Sequence, residues 1–311
     1  MSREDVIFDS AYIANHLKLR QSTRHKTVLV LGSRCSGLFR SNYLYETLQT
    51  YGGSPTFSTS PRLKQFRECY QILTRRDGLS RSEIQSVLMR ALDEVNCSTA
   101  DLCLAELVKL GLFDVIVSTQ VDTLFEQALK EVSMKELRDF EIFCPRGDRK
   151  EDASLPQPVT PCQLIKVFGQ LTSEYAVPRT SYLLHRPRLA ESLQDKLQRD
   201  VLVLGLDPVW DAELIHVLSS QGGSLWFINE EPLLEEGDLY HIGQGRQVRT
   251  IANYNGRYER FVPALYWQLM GNLPLHDRLG EILMKEIQKL SSEIRTLQKE
   301  VRDCCKPSSS P

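Results

Sequence analysis

Four short stretches combine glycine, hydroxyl, amide and charged side chains in places where an apolar run stops. They are Gly32-Ser33-Arg34-Cys35-Ser36-Gly37, Ser118-Thr119-Gln120-Val121-Asp122, Lys166-Val167-Phe168-Gly169-Gln170 and Gly205-Leu206-Asp207-Pro208. A glycine at the end of a strand lets backbone approach a phosphate, and the N-terminus of a following helix adds amide donors and a favourable dipole. Ser33 and Ser36 offer hydroxyls to the same kind of ligand. The first stretch also fits a plain strand-to-helix turn, because the middle glycine of a GxGxxG pattern is here Arg34. Asp122 is placed either to hold a ligand or to cap a helix. Thr119 is either a ligand contact or a strand-end hydroxyl bonded to backbone.

Each stretch needs a strand before it. "TVLVLG" (27–32), "FDVIVST" (113–119), "CQLIKVFG" (162–169), "DVLVLGL" (200–206), "SLWFIN" (224–229) and "VRTIAN" (248–253) supply six. Most are near-continuous apolar runs, the pattern of parallel strands covered on both faces. Helical periodicity marks 8–20, 41–52, 121–132, 186–199, 211–220 and 258–270, and 62–112 is largely helical, with a Ser80/Glu83 capping box and a stop at Gly111. The loops "GGSPTFSTSPR" and "PRGDRKEDASLPQPVTP" (145–161) are rich in Pro, Gly and charge. Strands alternating with helices predict an α/β protein: a Rossmann-like parallel sheet with helices on both faces. In such a sheet, ligands bind beyond the carboxyl ends of the strands.

The bulk properties agree. The 311 residues are 41% hydrophobic and 25% charged, enough for one large domain with a core. A net charge of −2 gives no general pull toward nucleic acid or anionic membrane. No apolar run approaches the roughly 18 residues of a membrane span. The N-terminus lacks the apolar region of a secretion signal. The eight cysteines form no CxxC pair, so the expectation is free thiols in a reducing cytoplasm and no metal site.

Taken in order, the strand ends resemble the SIR2 (sirtuin-like) superfamily, in particular the NAD-consuming domains of bacterial defence systems. The family pattern is GAGxS, then TxNxD, KxHG, a strand ending in GxxxxD and a strand ending in Asn. The matching positions are Gly32 to Ser36, Ser118 to Asp122, Lys166 to Gly169, Gly205 to Asp211, and Asn229. The resemblance spans about residues 25–270. It implies NAD or a related nucleotide as ligand, with Gly32, Ser33, Arg34, Ser36, Thr119, Asp122, Gly169, Gly205 and Asn229 around it, and Gln120 and Asp122 as the remaining catalytic positions. It also implies a small helical module at about 62–112 and, through the missing cysteine pairs, no zinc ribbon.

Three departures bear on activity. Arg34 stands at the second loop glycine, where a side chain intrudes on the pyrophosphate unless its guanidinium binds the phosphate instead. Gln120 stands at the catalytic asparagine, one methylene longer. Phe168 stands at the catalytic histidine, and a phenyl ring moves no proton. His185, 17 residues on, is the nearest replacement and otherwise an exposed loop histidine. The expectation is a catalytically impaired nucleotide-binding or scaffold subunit. The alternatives are an active NAD hydrolase using Gln120 and Asp122 and releasing nicotinamide, and an unrelated Rossmann-like binding protein.

The C-terminal stretch 281–305 differs. Leu283, Ile287, Leu290, Ile294, Leu297 and Val301 recur at spacings of 4, 3, 4, 3 and 4, with β-branched residues at a and Leu at d. That seam predicts a coiled-coil-type helix that joins a second copy of the chain or another protein of the same system. Glu286, Glu293 and Glu300 fall at g, opposite Ser291 and Gln298 at e, so a partner with basic e positions suits it better than a second copy. The expected organisation is therefore a SIR2-like domain over 1–275, the heptad helix over 276–305 and a disordered tail over 306–311.

Overall fold

A computed structural model describes residues 3–23, 26–75, 78–145, 154–171, 185–231 and 245–271, with Leu183, Ile242 and Ile294 besides. The chain divides into two compact units, Met1–Leu269 and Met270–Pro311. The heptad seam lies in the second unit and, Ile294 apart, outside the described residues.

The elements in chain order are α1 (Arg3–Gln21), β1 (Thr27–Leu31), α2 (Gly37–Arg40), α3 (Asn42–Thr50), α4 (Arg62–Thr74), α5 (Arg81–Asp93), α6 (Thr99–Lys109) and β2 (Phe113–Ser118). Then follow α7 (Leu124–Glu131), β3 (Glu141–Phe143), β4 (Gln163–Lys166), α8 (Pro187–Leu197), β5 (Val201–Leu204), α9 (Ala212–Val217), β6 (Leu225–Ile228), β7 (Val248–Ile251) and α10 (Tyr258–Met270). All seven strands pair in parallel, in the order β3-β4-β2-β1-β5-β6-β7. The α/β expectation therefore holds. Setting aside the three-residue edge strand β3, the order is that of a dinucleotide fold, with its topological switch between β1 and β5. Sequence periodicity missed β3, because three half-buried residues are too few to alternate.

Alternation along the strands divides the core. Val28, Val30, Val115, Val117, Val201 and Val203 face one layer, formed by α3, α4, α5, α8 and α9. On α8, Leu189, Leu193 and Leu197 stack four apart against that face, all buried. A fully buried leucine contributes about 1.5–3 kcal/mol. Leu29, Leu31, Leu202 and Leu204 face the other layer, where α1, α6, α7 and α10 pack. Within 62–112, α4 and α5 pack with α3, whereas α6 packs on β2 and α7. Both α5 and α6 open with complete capping boxes, Ser80/Glu83 as expected and Ser98/Asp101 besides. The stretch 121–132 becomes helical only from Leu124, because the residues before it form the turn that carries Asp122.

At the switch, the ends of β1 and β5 touch backbone to backbone. Gly32 N–H donates to Leu204 O at 2.8 Å and Arg34 N–H to Gly205 O at 3.0 Å. A Cβ on Gly32 would stand 2.3 Å from Gly205 O. Gly32→Ala is expected to lower stability by roughly 1–3 kcal/mol, since one strand end must move. Urea-unfolding midpoints measure this, and a variant as stable as the parent would mean that the two ends part freely.

Candidate functional site

Gly32, Ser33, Arg34, Ser36, Thr119, Gln120, Asp122, Gly169, Gly205 and Asn229 all lie at the carboxyl ends of β1, β2, β4, β5 and β6. The topology brings the sequence-predicted residues together. The side chains of Ser33, Arg34, Ser36, Thr119, Asp122 and Asn229, however, are bonded within the chain, and Gln120 donates its backbone N–H to Ser118 Oγ at 3.1 Å.

Arg34 is the clearest case. It is 3% exposed and makes four hydrogen bonds: Nε to Asp207 Oδ2 at 3.1 Å, Nη2 to the same oxygen at 2.7 Å, Nη2 to Glu231 Oε2 at 2.7 Å and Nη1 to Asn229 Oδ1 at 3.0 Å. Arg67 of α4 joins from the other side, to Asp207 at 3.2 Å and to Glu231. Asn229 completes its bonding by donating Nδ2 to Leu206 O at 2.9 Å. Arg34 thus holds carboxylates of its own chain in the crevice where the resemblance puts pyrophosphate. The glycine to its N-terminal side serves the contact between strand ends.

The hydroxyls are engaged as well. Ser33 donates its amide and Oγ to Asp211 Oδ2 at 3.0 and 2.9 Å, and Asp207 N–H adds a bond to that oxygen at 2.6 Å. Ser36 Oγ donates to Ser33 O at 2.5 Å and caps α2. Thr119 Oγ1 lies within hydrogen-bond distance of Leu31 O at 3.3 Å, and its side chain also bonds the Asp211 carboxyl. Asp122 caps two helices at once. Its Oδ2 accepts from Gly37 N–H at 2.8 Å and its Oδ1 from Leu124 N–H at 3.1 Å. Burial raises its pKa, and Lys166 opposes this. Lys166 is fully buried, with Nζ on Asp122 O at 2.5 Å and Glu126 Oε1 at 2.8 Å. Gly169, at φ +78°, makes the turn after β4.

Two cavities flank the switch. The first is about 10 Å³, bounded by Ser33, Ser36, Thr119, Gln120 and Asp211 and closed by Leu38, Phe66, Val121 and Trp210. Phe66 and Trp210 stack at 4.5 Å, and Trp210 Nε1 donates to Phe66 O at 2.8 Å. That volume takes one water molecule and excludes a nicotinamide ring. Phe168 is 1% exposed and belongs to the hydrophobic core, and His185 stands in an exposed turn.

The second cavity is about 440 Å³ and opens on the other side of Arg34. Its walls include Gly205, Asn229, Arg40, Arg62 and Arg257. Arg40 Nη1 pairs with Asp101 at 2.9 Å, and Tyr258 OH holds the other oxygen of Asp101 at 2.9 Å. Arg40 Nε and Nη2 are buried with no hydrogen-bond partner. With Arg34, the wall holds four arginines against Glu230 and Glu259, a positive excess that suits an anion. The cavity is large enough for the phosphates and nucleoside of a nucleotide. The residues present therefore fit the anionic half of NAD and do not fit its nicotinamide half.

Sequence reading missed Arg40, Arg67, Glu231 and the pairing role of Asp207. Only Asp207 had a signal, since it lies two residues past a strand-end glycine and an arginine in a glycine loop needs a counter-charge. Among the described residues the cysteines are unpaired, no three His, Cys, Asp or Glu side chains gather as a metal site, and no helix is long and apolar enough to cross a membrane.

No protein-family model and no curated protein matches the chain. Among solved structures, one described as the structural basis for the mechanism and regulation of Sir2 enzymes aligns with 84% of this chain and 97% of its own, at 12% identity and a TM-score of 0.36.

Burial pushes the Asp211 carboxyl up to about 6, against hydrogen bonds from the Thr119 side chain and the Asp207 and Ser33 amides. The folded state then keeps a proton that the unfolded chain releases near pH 4. Stability from this group falls as pH rises from about 4 to about 6 and is level above. Asp211→Asn is expected to lose less stability than the parent between pH 4.5 and 7 in urea titrations. An unchanged pH slope would remove Asp211 as the titrating group.

Proposed function

We propose that the chain is a SIR2-like nucleotide-binding protein that no longer cleaves NAD, acting as a sensor or scaffold subunit of a bacterial defence system. One observation carries the binding half of this reading. Arg34, Arg40, Arg62 and Arg257 outnumber Glu230 and Glu259 in the wall of a cavity of about 440 Å³ at the switch point of a dinucleotide-type sheet. The ordered motifs from Gly32 to Asn229 support the family assignment.

Loss of cleavage is supported by three features. Phe168 lies in the core where the resemblance expects a proton-transferring histidine. Asp122 spends both carboxylate oxygens on helix caps. The cavity beside Gln120 is too small for nicotinamide. Association belongs to the same reading: Leu283, Ile287, Leu290, Ile294, Leu297 and Val301 would join a second copy or a partner protein, with cytoplasmic placement following from the free thiols.

The test is an NAD titration that follows binding heat and free nicotinamide in the same samples. Binding without nicotinamide is expected, weakened about tenfold or more by Arg40→Ala, the loss of a charged hydrogen-bond donor. Nicotinamide release abolished by Gln120→Ala or Asp122→Ala would establish an active hydrolase. Absence of both signals would leave the fold as a scaffold and put its function in the heptad helix.

A further inference from the structure

The four charges at the end of β5 are unequal in their attachment. Asp207 is fully buried, and its Oδ1 accepts Val209 N–H at 2.9 Å and Trp210 N–H at 3.2 Å, so its own turn fixes it. Glu231 lies in the loop after β6, is 33% exposed and is held through Oε2 by Arg34 and Arg67. Two guanidinium groups converging on one carboxylate oxygen of a partly exposed side chain is the arrangement that receives a phosphoryl group. With both carboxylates in place the charges of the cluster cancel. With Glu231 withdrawn, Arg34 and Arg67 outweigh Asp207 by one positive charge. Arg34 also lines the large cavity, with Arg40, Arg62 and Arg257, so a ligand there meets the cluster through Arg34.

We propose that this cluster is a self-occupied anion site: the Glu231 carboxylate stands where a diphosphate oxygen of a nucleotide binds, and the ligand enters by displacing it. The inference rests on the nucleotide-binding reading and adds its regulation. Glu231 competes with the ligand, and Asp207 stays to hold Arg34 in place. Affinity is then set by an internal acid as well as by the cavity. Because Arg67 belongs to α4, the exchange of anions is also felt by the helical module that closes the small cavity through Phe66.

The probe is ADP-ribose, which carries the diphosphate without the nicotinamide that the small cavity excludes. Glu231→Gln keeps the shape of the side chain and removes its charge. It is expected to bind ADP-ribose about tenfold more tightly than the parent by calorimetry, because a like charge has left the path of the anion. A second measurement uses the unaltered protein. Carbodiimide labelling read by mass spectrometry is expected to modify Glu231 more when ADP-ribose is saturating, with Asp207 unlabelled in both states. If Glu231→Gln fails to fold, the labelling decides by itself. Equal or weaker binding by the variant, or unchanged or reduced labelling of Glu231 in a parent protein that does bind, overturns the competition and leaves the nucleotide reading intact. No binding by either protein overturns both.

Discussion

The architecture of the site depends on one buried ion pair, Arg34 with Asp207. It lies where β1 and β5 diverge, with Arg34 3% exposed and Asp207 fully buried. A guanidinium cannot shed its charge, so burying one is costly unless acceptors meet its donors. Removing one partner of such a pair typically costs about 3–5 kcal/mol, because the remaining charge is left without compensation. That constraint explains the neighbours. Asn229 accepts from Nη1, Glu231 and Asp207 accept from Nη2, and Arg67 supplies the second cation the two carboxylates need. The pair thus ties together the ends of β1, β5 and β6 and the helix α4.

A second buried charge cluster repeats the theme between β2 and β4. Lys166 sits under the Asp122 turn, bonded to its carbonyl and to Glu126, and Gln170 donates to the same Glu126 oxygen at 2.9 Å. Asp122 in turn starts α2 and α7. Charges that could serve chemistry at the strand ends are spent here on holding the turns. Arg40, Arg62 and Arg257 line the large cavity and not the cavity beside Gln120.

This division bears on what the fold retains. Space and unspent positive charge remain on the Arg40 side of the switch. On the other side, aromatic side chains from α4 and from the turn after β5 fill the volume, and the core takes in Phe168. A ligand whose binding energy comes from phosphate and nucleoside suits such a surface.

By itself the sequence determined the alternation of strands and helices, the parallel sheet, and the strand ends as the place where polar groups collect. These follow from periodicity and apolar runs, which are local properties of the chain. The resemblance also marked Arg34, Gln120 and Phe168 as departures from a pattern, and left Asp122 open between a ligand contact and a helix cap. The short strand β3, the packing of α6 on β2 and α7 and the partners of Arg34 were decided only by tertiary structure. Glu231 lies 197 residues from Arg34 and Asp207 lies 173, and nothing local to either carboxylate marks it as a counter-ion. Ionic pairing in a buried crevice is a property of the crossovers that bring strand ends together. Whether an arginine in a glycine loop meets a phosphate or a carboxylate of its own chain is therefore settled by the fold.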